Sequence, residues 1–380
     1  MPDRQLLPKE TIMKGTSCKA ALVLLLLAVL SAPGFAATKY DITDLGTGVI
    51  PSAINQNGDV VGTIVSNDAG PQAFIYRAGI VVGLGQMGGT ASWGLGINDS
   101  AVIVGSVCMD ELCKQNPYWG LQRHGFLAKE GQITDLMSAA GMLEGARINN
   151  SGQVLGRQYI DGYQQKIVLY DSANALLTDI SQGHGQNTSL TPRGLNNLGD
   201  AVFIESFCGS YECSNSLLYS GGTLQSLPAD RYLAWDVADI NDLGKIVGTS
   251  GPYLRGVLYY QDLTFIPHAN LLAFAPDAIN NEGVMLGRAR DARALPTVFT
   301  KRPIWLSHKP APDLYSNPAV YEKSKLTILQ ERLTKTADQW ILEEAFDIND
   351  KGQIVGYGRK NNEEEHGFLL TPASIKKDKQ

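Results

Sequence analysis

The sequence predicts an all-β fold: a seven-bladed β-propeller of four-stranded blades, its ring closed by the N-terminal strand completing the last blade. Three observations predict it. Forty glycines and a charged content of only 18% in 380 residues point to many turns between short strands. A short motif, Ile/Leu-Asn-x-x-Gly, recurs along the chain in seven copies. The two ends of the chain carry complementary fragments of the same repeat.

The motif asparagines are Asn55, Asn98, Asn149, Asn196, Asn241, Asn280 and Asn349, spaced by 43, 51, 47, 45, 39 and 69 residues. All but the last spacing lie near the ~40–50 residues of a four-stranded propeller blade. Apolar stretches flank each copy, as in Ile54-Asn55-Gln56-Asn57-Gly58 followed by Val60-Val61-Gly62. Asn is favoured at the first position of a type I turn and Gly at the fourth, so each motif reads as a hairpin joining a strand a to a strand b. The turn accounts for both residues without a ligand. The second copy has Ala101 in place of the glycine, and a different turn is expected there. A third strand, c, follows in each unit (Ala73-Phe74-Ile75-Tyr76, Gly125-Phe126-Leu127, Val298-Phe299 in the sixth), and then a fourth, d (Ile133-Thr134-Asp135-Leu136, Leu177-Thr178-Asp179-Ile180).

Ile42-Thr43-Asp44-Leu45 matches the d strand Ile133-Thr134-Asp135-Leu136, while the last unit stops after its c strand at Leu370. The N-terminal segment therefore supplies the missing d strand, which leaves no unpaired edge between first and last blades. An open solenoid, the rival architecture, has no need of complementary ends. The propeller is expected over residues 37–371, with a charged tail over 372–380. The long last spacing is assigned to an insertion over 307–337, between blades 6 and 7, in which Leu326, Leu329 and Leu333 suggest an amphipathic helix.

Residues 1–36 read as a secretion signal. Lys14 and Lys19 precede the apolar run Ala20–Leu30, which is too short to span a membrane, and small residues lead to a cut after Ala36. That segment holds four basic and two acidic residues, so the 32 basic and 38 acidic residues of the chain become 28 and 36, a net charge of −8. No basic footprint for nucleic acid is present, and attraction to anionic lipid is not expected. A secreted or periplasmic monomer is expected, with no membrane span after cleavage.

The units resemble the HAF repeats of bacterial extracellular proteins, named for a His-Ala-Phe triplet near strand c. The triplet stands here as His124-Gly125-Phe126 and His366-Gly367-Phe368, with Gln72-Ala73-Phe74 a variant. The resemblance covers residues 40–371, although blades 3 to 6 lack the histidine. It implies a repeat-built extracellular β-protein and no particular activity.

Cys108 and Cys113, and again Cys208 and Cys213, form Cys-x4-Cys pairs just after strand b of blades 2 and 4. An even count in an exported chain reads as two disulfides, each stapling a b–c loop. A zinc site drawn from both pairs is the competing reading, disfavoured by the wide spacing and by the intervening blade.

In a propeller the d–a and b–c connections share one face, and the a–b and c–d turns share the other. The a–b turns are short and uniform, whereas every elaboration falls on the first face, where function is therefore expected. Each a strand lines the central channel. Among its residues four places before, or immediately before, the motif Ile/Leu, the candidates for ligand binding are Trp93, Glu144, Arg147, Asp236, Asp239, Glu344 and Asp347. Such a rim suits a cation, a sugar or a basic peptide. No Gly-x-Ser-x-Gly, His-Glu-x-x-His or P-loop pattern occurs, and no cofactor, metal or catalytic residue is assigned. The expected function is a non-catalytic binding module for a protein, peptide or glycan. The alternative is a glycosidase- or lyase-like enzyme using channel carboxylates such as Glu144, Asp236 and Glu344. A purely structural envelope protein is a third possibility.

Overall fold

The computed structural model describes residues 38–65, 70–111, 123–160, 164–186, 188–207, 214–228, 235–250, 255–266, 272–291, 316–337, 339–361 and 364–373. The expected signal over 1–36, the cysteines Cys113, Cys208 and Cys213, and residues 374–380 of the tail lie outside them. Twenty-eight strands form seven four-stranded antiparallel sheets arranged as the blades of a propeller.

The ring closes through the N-terminal strand. Tyr40–Thr47 pairs with Glu365–Pro372 as strand d of blade 7, with Ile42 opposite Leu370 and Thr43 opposite Leu369. Apolar side chains of adjacent blades then pack as a sequence of cores. Across this junction Leu45, Val49, Ile54, Val60 and Phe74 meet Val355 and Leu369. The strand-c phenylalanines Phe74, Phe126 and Phe368 are fully buried, each opposite a strand-b glycine. A Cβ on Gly62 would stand 2.1 Å from the Ile50 carbonyl oxygen and 2.9 Å from the Phe74 ring, so the Val-Gly of strand b is a packing requirement.

The triplet histidines are part of the blades. His124 Nδ1 lies 3.1 Å from Asp135 Oδ2, and His366 Nδ1 lies 2.9 Å from Asp44 Oδ1. In blade 3, Lys166 takes the same place against Asp179 at 2.9 Å. The strand-d aspartate also accepts a backbone amide of the following turn, from Gly46, Met137 or Ser181. One carboxylate thus fastens strand c to strand d and shapes the exit of the chain toward the next blade. Burial works to raise the Asp44 carboxyl, but the hydrogen bonds from His366, Lys360 and Gly46 outweigh it and hold its pKa below the ordinary value.

Four expectations are corrected. The extra length near the end of the chain is not a link between blades 6 and 7. Ser316–Glu322, and not the expected Val298-Phe299, is strand c of blade 6, and Lys325–Ile328 is its strand d; they pair Met285–Asp291 and each other, so the additional residues belong to the b–c connection of that blade, 292–315. The expected helix is instead strand d followed by a short 3-10 turn, Leu329–Arg332. Leu326 and Leu329 are buried in both readings, because a strand that runs into a 3-10 turn also returns apolar residues to one side. The turn of blade 2 is likewise not different. Ala101 N donates to Asn98 O at 2.9 Å, as Gly58 N donates to Asn55 O at 3.1 Å, and Ala101 holds φ at 55°.

The motif asparagines do more than turn the chain. Each side-chain oxygen accepts amides within its own hairpin, as Asn241 Oδ1 does from Leu243 N and Lys245 N at 3.1 and 3.0 Å. Each side-chain nitrogen donates to the backbone carbonyl of the asparagine in the next blade. The series Asn55 to Asn98, Asn149, Asn196, Asn241, Asn280, Asn349 and back to Asn55 is complete, with distances of 3.0, 3.1, 3.1, 3.2, 3.0, 3.0 and 2.9 Å. A second ring lies beside it: the backbone N–H of Gln56, Asp99, Asn150, Asn197, Asp242, Asn281 and Asp350 donates to the side-chain oxygen of the same position one blade on.

Two measurements check these assignments. Ala101→Gly relieves a left-handed conformation that Cβ disfavours and is expected to raise unfolding stability by about 1 kcal/mol. Asn241→Ala leaves the Asn280 carbonyl and two turn amides without their partner and is expected to cost about 2–4 kcal/mol in chemical denaturation. Asn241→Asp keeps an acceptor for the turn amides but sets a carboxylate oxygen against the Asn280 carbonyl, and is expected to destabilise as well; a neutral Asn241→Asp would mean that the inter-blade bond contributes nothing.

Candidate functional site

Every a strand carries a β-bulge at the same place. The register to strand b slips between Pro51 and Ala53, Gly94 and Gly96, Gly145 and Arg147, Pro192 and Gly194, Val237 and Asp239, Pro276 and Ala278, and Ala345 and Asp347. A bulge re-aims the side chain that follows it. Here it turns the residue just before the motif Ile/Leu into the channel, at the end where the a–b turns lie. There a pocket of about 190 Å³ opens, with Arg147, Asp239, Asp347, Asp277, Ser52 and Phe346 in its wall and the Asp242 and Asp350 turns at its mouth.

The seven sequence candidates separate into two groups. Arg147, Asp239 and Asp347 line this pocket. Trp93, Glu144, Asp236 and Glu344 do not. Glu144 is only 1% exposed and pairs with Arg157, Nε to Oε1 at 3.1 Å. Beside it the Arg123 guanidinium lies 5.2 Å over the Trp93 ring. Asp236 accepts from Ser214 Oγ at 2.7 Å, and Glu344 is half-buried within strand a of blade 7, Trp340–Ile348. The single rim expected from the sequence is thereby corrected: residues four places earlier stand before the bulge, at another level of the channel. The pocket also opens on the a–b face and not on the loop-bearing one. Most residues of the elaborated loops, including 112–122, 208–213 and 292–315, lie outside the described residues. His184, in the d–a link, is held at 2.5 Å by Glu205, which also accepts from Gly185 N and Thr188 Oγ1.

The three charged groups of the pocket are anchored separately. Arg147 Nη1 donates to Ala146 O at 2.9 Å, and no carboxylate lies within ion-pair distance of it among the described residues. Asp239 Oδ2 accepts from Ile279 N at 3.0 Å, reaching the next blade. Asp347 does the same toward blade 1, Oδ2 accepting from Ile54 N at 2.9 Å and Oδ1 from Ile348 N at 2.8 Å. Gly194 makes room for one of them, since a Cβ there would stand 2.8 Å from Asp239 Oδ1. Asp277 is neutralised by Arg288 through two bonds of 3.0 and 3.1 Å. Burial raises the Asp239 carboxyl to about 7, with the Asp347 charge adding to the rise and amide bonds and Arg147 opposing it. Burial also raises Asp347, against the amides of Ile54 and Ile348 and against Arg147. Among the described residues no three His, Cys, Asp or Glu side chains are grouped closely enough to hold a metal ion. Sequence reasoning missed Asp277 and Phe346, the bulge residues themselves. Their position two before the motif Ile/Leu is visible in the sequence, but the bulge that turns them inward is not.

The Asp239 shift has a consequence for stability. Its folded pKa lies above the unfolded value, so the folded state holds its proton longer and loses stability as pH rises from about 4 through 7. Asp239→Asn removes that loss. The variant is expected to match the parent near pH 4 and to exceed it by up to roughly 4 kcal/mol at pH 8 in denaturant titrations. A difference that does not change with pH would mean that Asp239 titrates normally.

No family model matches the chain, and no curated protein sequence matches it. Its fold is similar to that of solved propellers at low identity. The propeller domain of the Trilobed protease from Pyrococcus furiosus, with an open velcro topology, is 10% identical at a TM-score of 0.53, over 87% of this chain and 93% of that one. The acylaminoacyl peptidase of Pyrococcus horikoshii is 10% identical at 0.51, over 87% of this chain, which spans only 51% of that enzyme. YCF48 bound to D1 peptide is 10% identical at 0.50, over 90% of this chain and 100% of that one. These likenesses establish a propeller fold and nothing finer.

Proposed function

We propose that the protein is an exported binding module that takes a small polar ligand at the a–b mouth of its channel. The observation that carries this reading is the pocket itself, where Arg147 faces the channel with Asp239 and Asp347 and, among the described residues, no side chain bridges them. Fixed charges of both signs, set on strands and held by backbone amides, form a pre-organised polar site of the kind that orients ligands. Export rests on residues 1–36. An oxidising compartment and the pairings Cys108–Cys113 and Cys208–Cys213 are proposed from the two Cys-x4-Cys spacings. Membership of the HAF-repeat proteins is proposed on the same footing, from His124 and His366.

One observation favours a second reading, a channel enzyme. A carboxyl raised to about 7 beside another carboxylate is the arrangement that acid–base catalysis uses. If so, the acids are Asp239 and Asp347, and not Glu144, Asp236 and Glu344.

Thermal unfolding of the chain from Ala37 onward, against sugars, amines, carboxylates and amino acids, tests the binding reading. A ligand at 100 times its Kd stabilises by about 2.7 kcal/mol. Ser52→Phe fills the pocket from a half-buried wall position and is expected to abolish the shift while retaining a cooperative transition. A shift that survives Ser52→Phe moves binding elsewhere, and turnover lost in Asp239→Asn would establish the enzyme.

A further inference from the structure

We propose that the pocket receives a small zwitterion, an α-amino acid or dipeptide whose free carboxylate meets Arg147 and whose ammonium meets Asp239 and Asp347. The inference rests on the reading of this pocket as the binding site and assigns its ligand class.

The argument begins with hydrogen-bonding capacity. A guanidinium has five N–H donors, and Arg147 uses one of its groups on the Ala146 carbonyl. A carboxylate has about four acceptor positions. Asp347 uses one on Ile54 N and one on Ile348 N. Asp239 is held by the amides of Ile279 and Ile240. These anchors fix each group from the backbone side and leave its remaining capacity facing the channel.

The charges come from blades 3, 5 and 7 and are not paired with one another. Half-buried charges of opposite sign that do not touch are incompletely compensated, and a ligand carrying both signs compensates all of them together. A simple anion would satisfy Arg147 alone and would meet the field of Asp239, Asp347, Asp242 and Asp350. A simple cation would satisfy the aspartates and be repelled by Arg147. The volume, about 190 Å³, is below the ~300–1,000 Å³ of pockets for drug-sized ligands, which suits one or two amino-acid units. Small residues, Ala53, Gly96 and Ala278, leave the lumen open, and Phe346 offers an apolar wall. At the mouth the Asp242 and Asp350 carboxylates, part of the second ring, attract the ammonium end.

The test is calorimetric titration of the chain from Ala37 onward at pH 8 with L-alanine, glycylglycine, propionate and propylamine. Both zwitterions are expected to bind at least tenfold more tightly than either singly charged analogue. Arg147→Gln is expected to weaken L-alanine at least tenfold without weakening propylamine. Asp347→Asn is expected to weaken L-alanine without weakening propionate, and it carries the comparison if Arg147→Gln fails to fold. Propionate or propylamine binding as tightly as L-alanine overturns the zwitterion assignment and leaves the pocket as a binding site. Silence from all four, together with no shift from any ligand class in thermal unfolding, overturns both.

Discussion

The structure depends on the bond from each motif asparagine to the carbonyl of the next. A propeller blade has two twisted faces that must be covered by neighbours, but apolar packing alone does not fix the angle between blades. The asparagine ring does so. Its seven amide groups are buried, and a buried amide without a partner is costly. The same side chain that closes the a–b hairpin by accepting turn amides is thereby committed to the adjacent blade. Local turn chemistry and ring geometry are one requirement, which is why the residue recurs while its neighbours change. Six turns satisfy the fourth position with glycine at positive φ, and blade 2 satisfies it with Ala101 at a small conformational cost.

With that ring in place the innermost strands are free to differ. The bulge in each a strand sets one residue of every blade beside the channel. Around the ring these are Ala53, Gly96, Arg147, Gly194, Asp239, Ala278 and Asp347. Asp239 and Asp347 accept backbone amides of the next blade, so the site is tied to the same inter-blade junctions that hold the fold. Small residues stand between them, and Gly194 does so because the Asp239 carboxylate occupies the space of its Cβ. The asymmetry of a nearly symmetric scaffold is concentrated at this level, which is what makes it the place where chemistry resides.

Ring closure follows the same economy. The N-terminal strand brings Asp44 to His366 and Lys360, and Leu45 to the core between blades 7 and 1. The histidine of the repeat triplet is accordingly a cross-strand fastener. Its partner aspartate sits in the Thr-Asp of strand d, in the matching segments of blades 2 and 7. Blade 3 substitutes Lys166 for the histidine and keeps the contact, a cation in place of an imidazole against the same carboxylate.

The sequence by itself determined the blade count, the strand order, the closing strand and the turn positions, because each is set by local chemistry: an Asn and a Gly three residues apart, alternating apolar strands, and a d-strand fragment at one end missing from the other. It also named Arg147, Asp239 and Asp347. Only the tertiary structure decided that these three converge while Trp93, Glu144, Asp236 and Glu344 do not, since a one-residue bulge reverses which face a side chain takes and leaves no mark in the pattern. The second error had the same origin. Lys325–Ile328 and the turn after it place Leu326 and Leu329 inward as a helix would, and only pairing with Ser316–Glu322 distinguishes the two. The inter-blade reach of the asparagines was invisible for a related reason: residues 39 to 69 apart in the chain become neighbours only once the ring has closed.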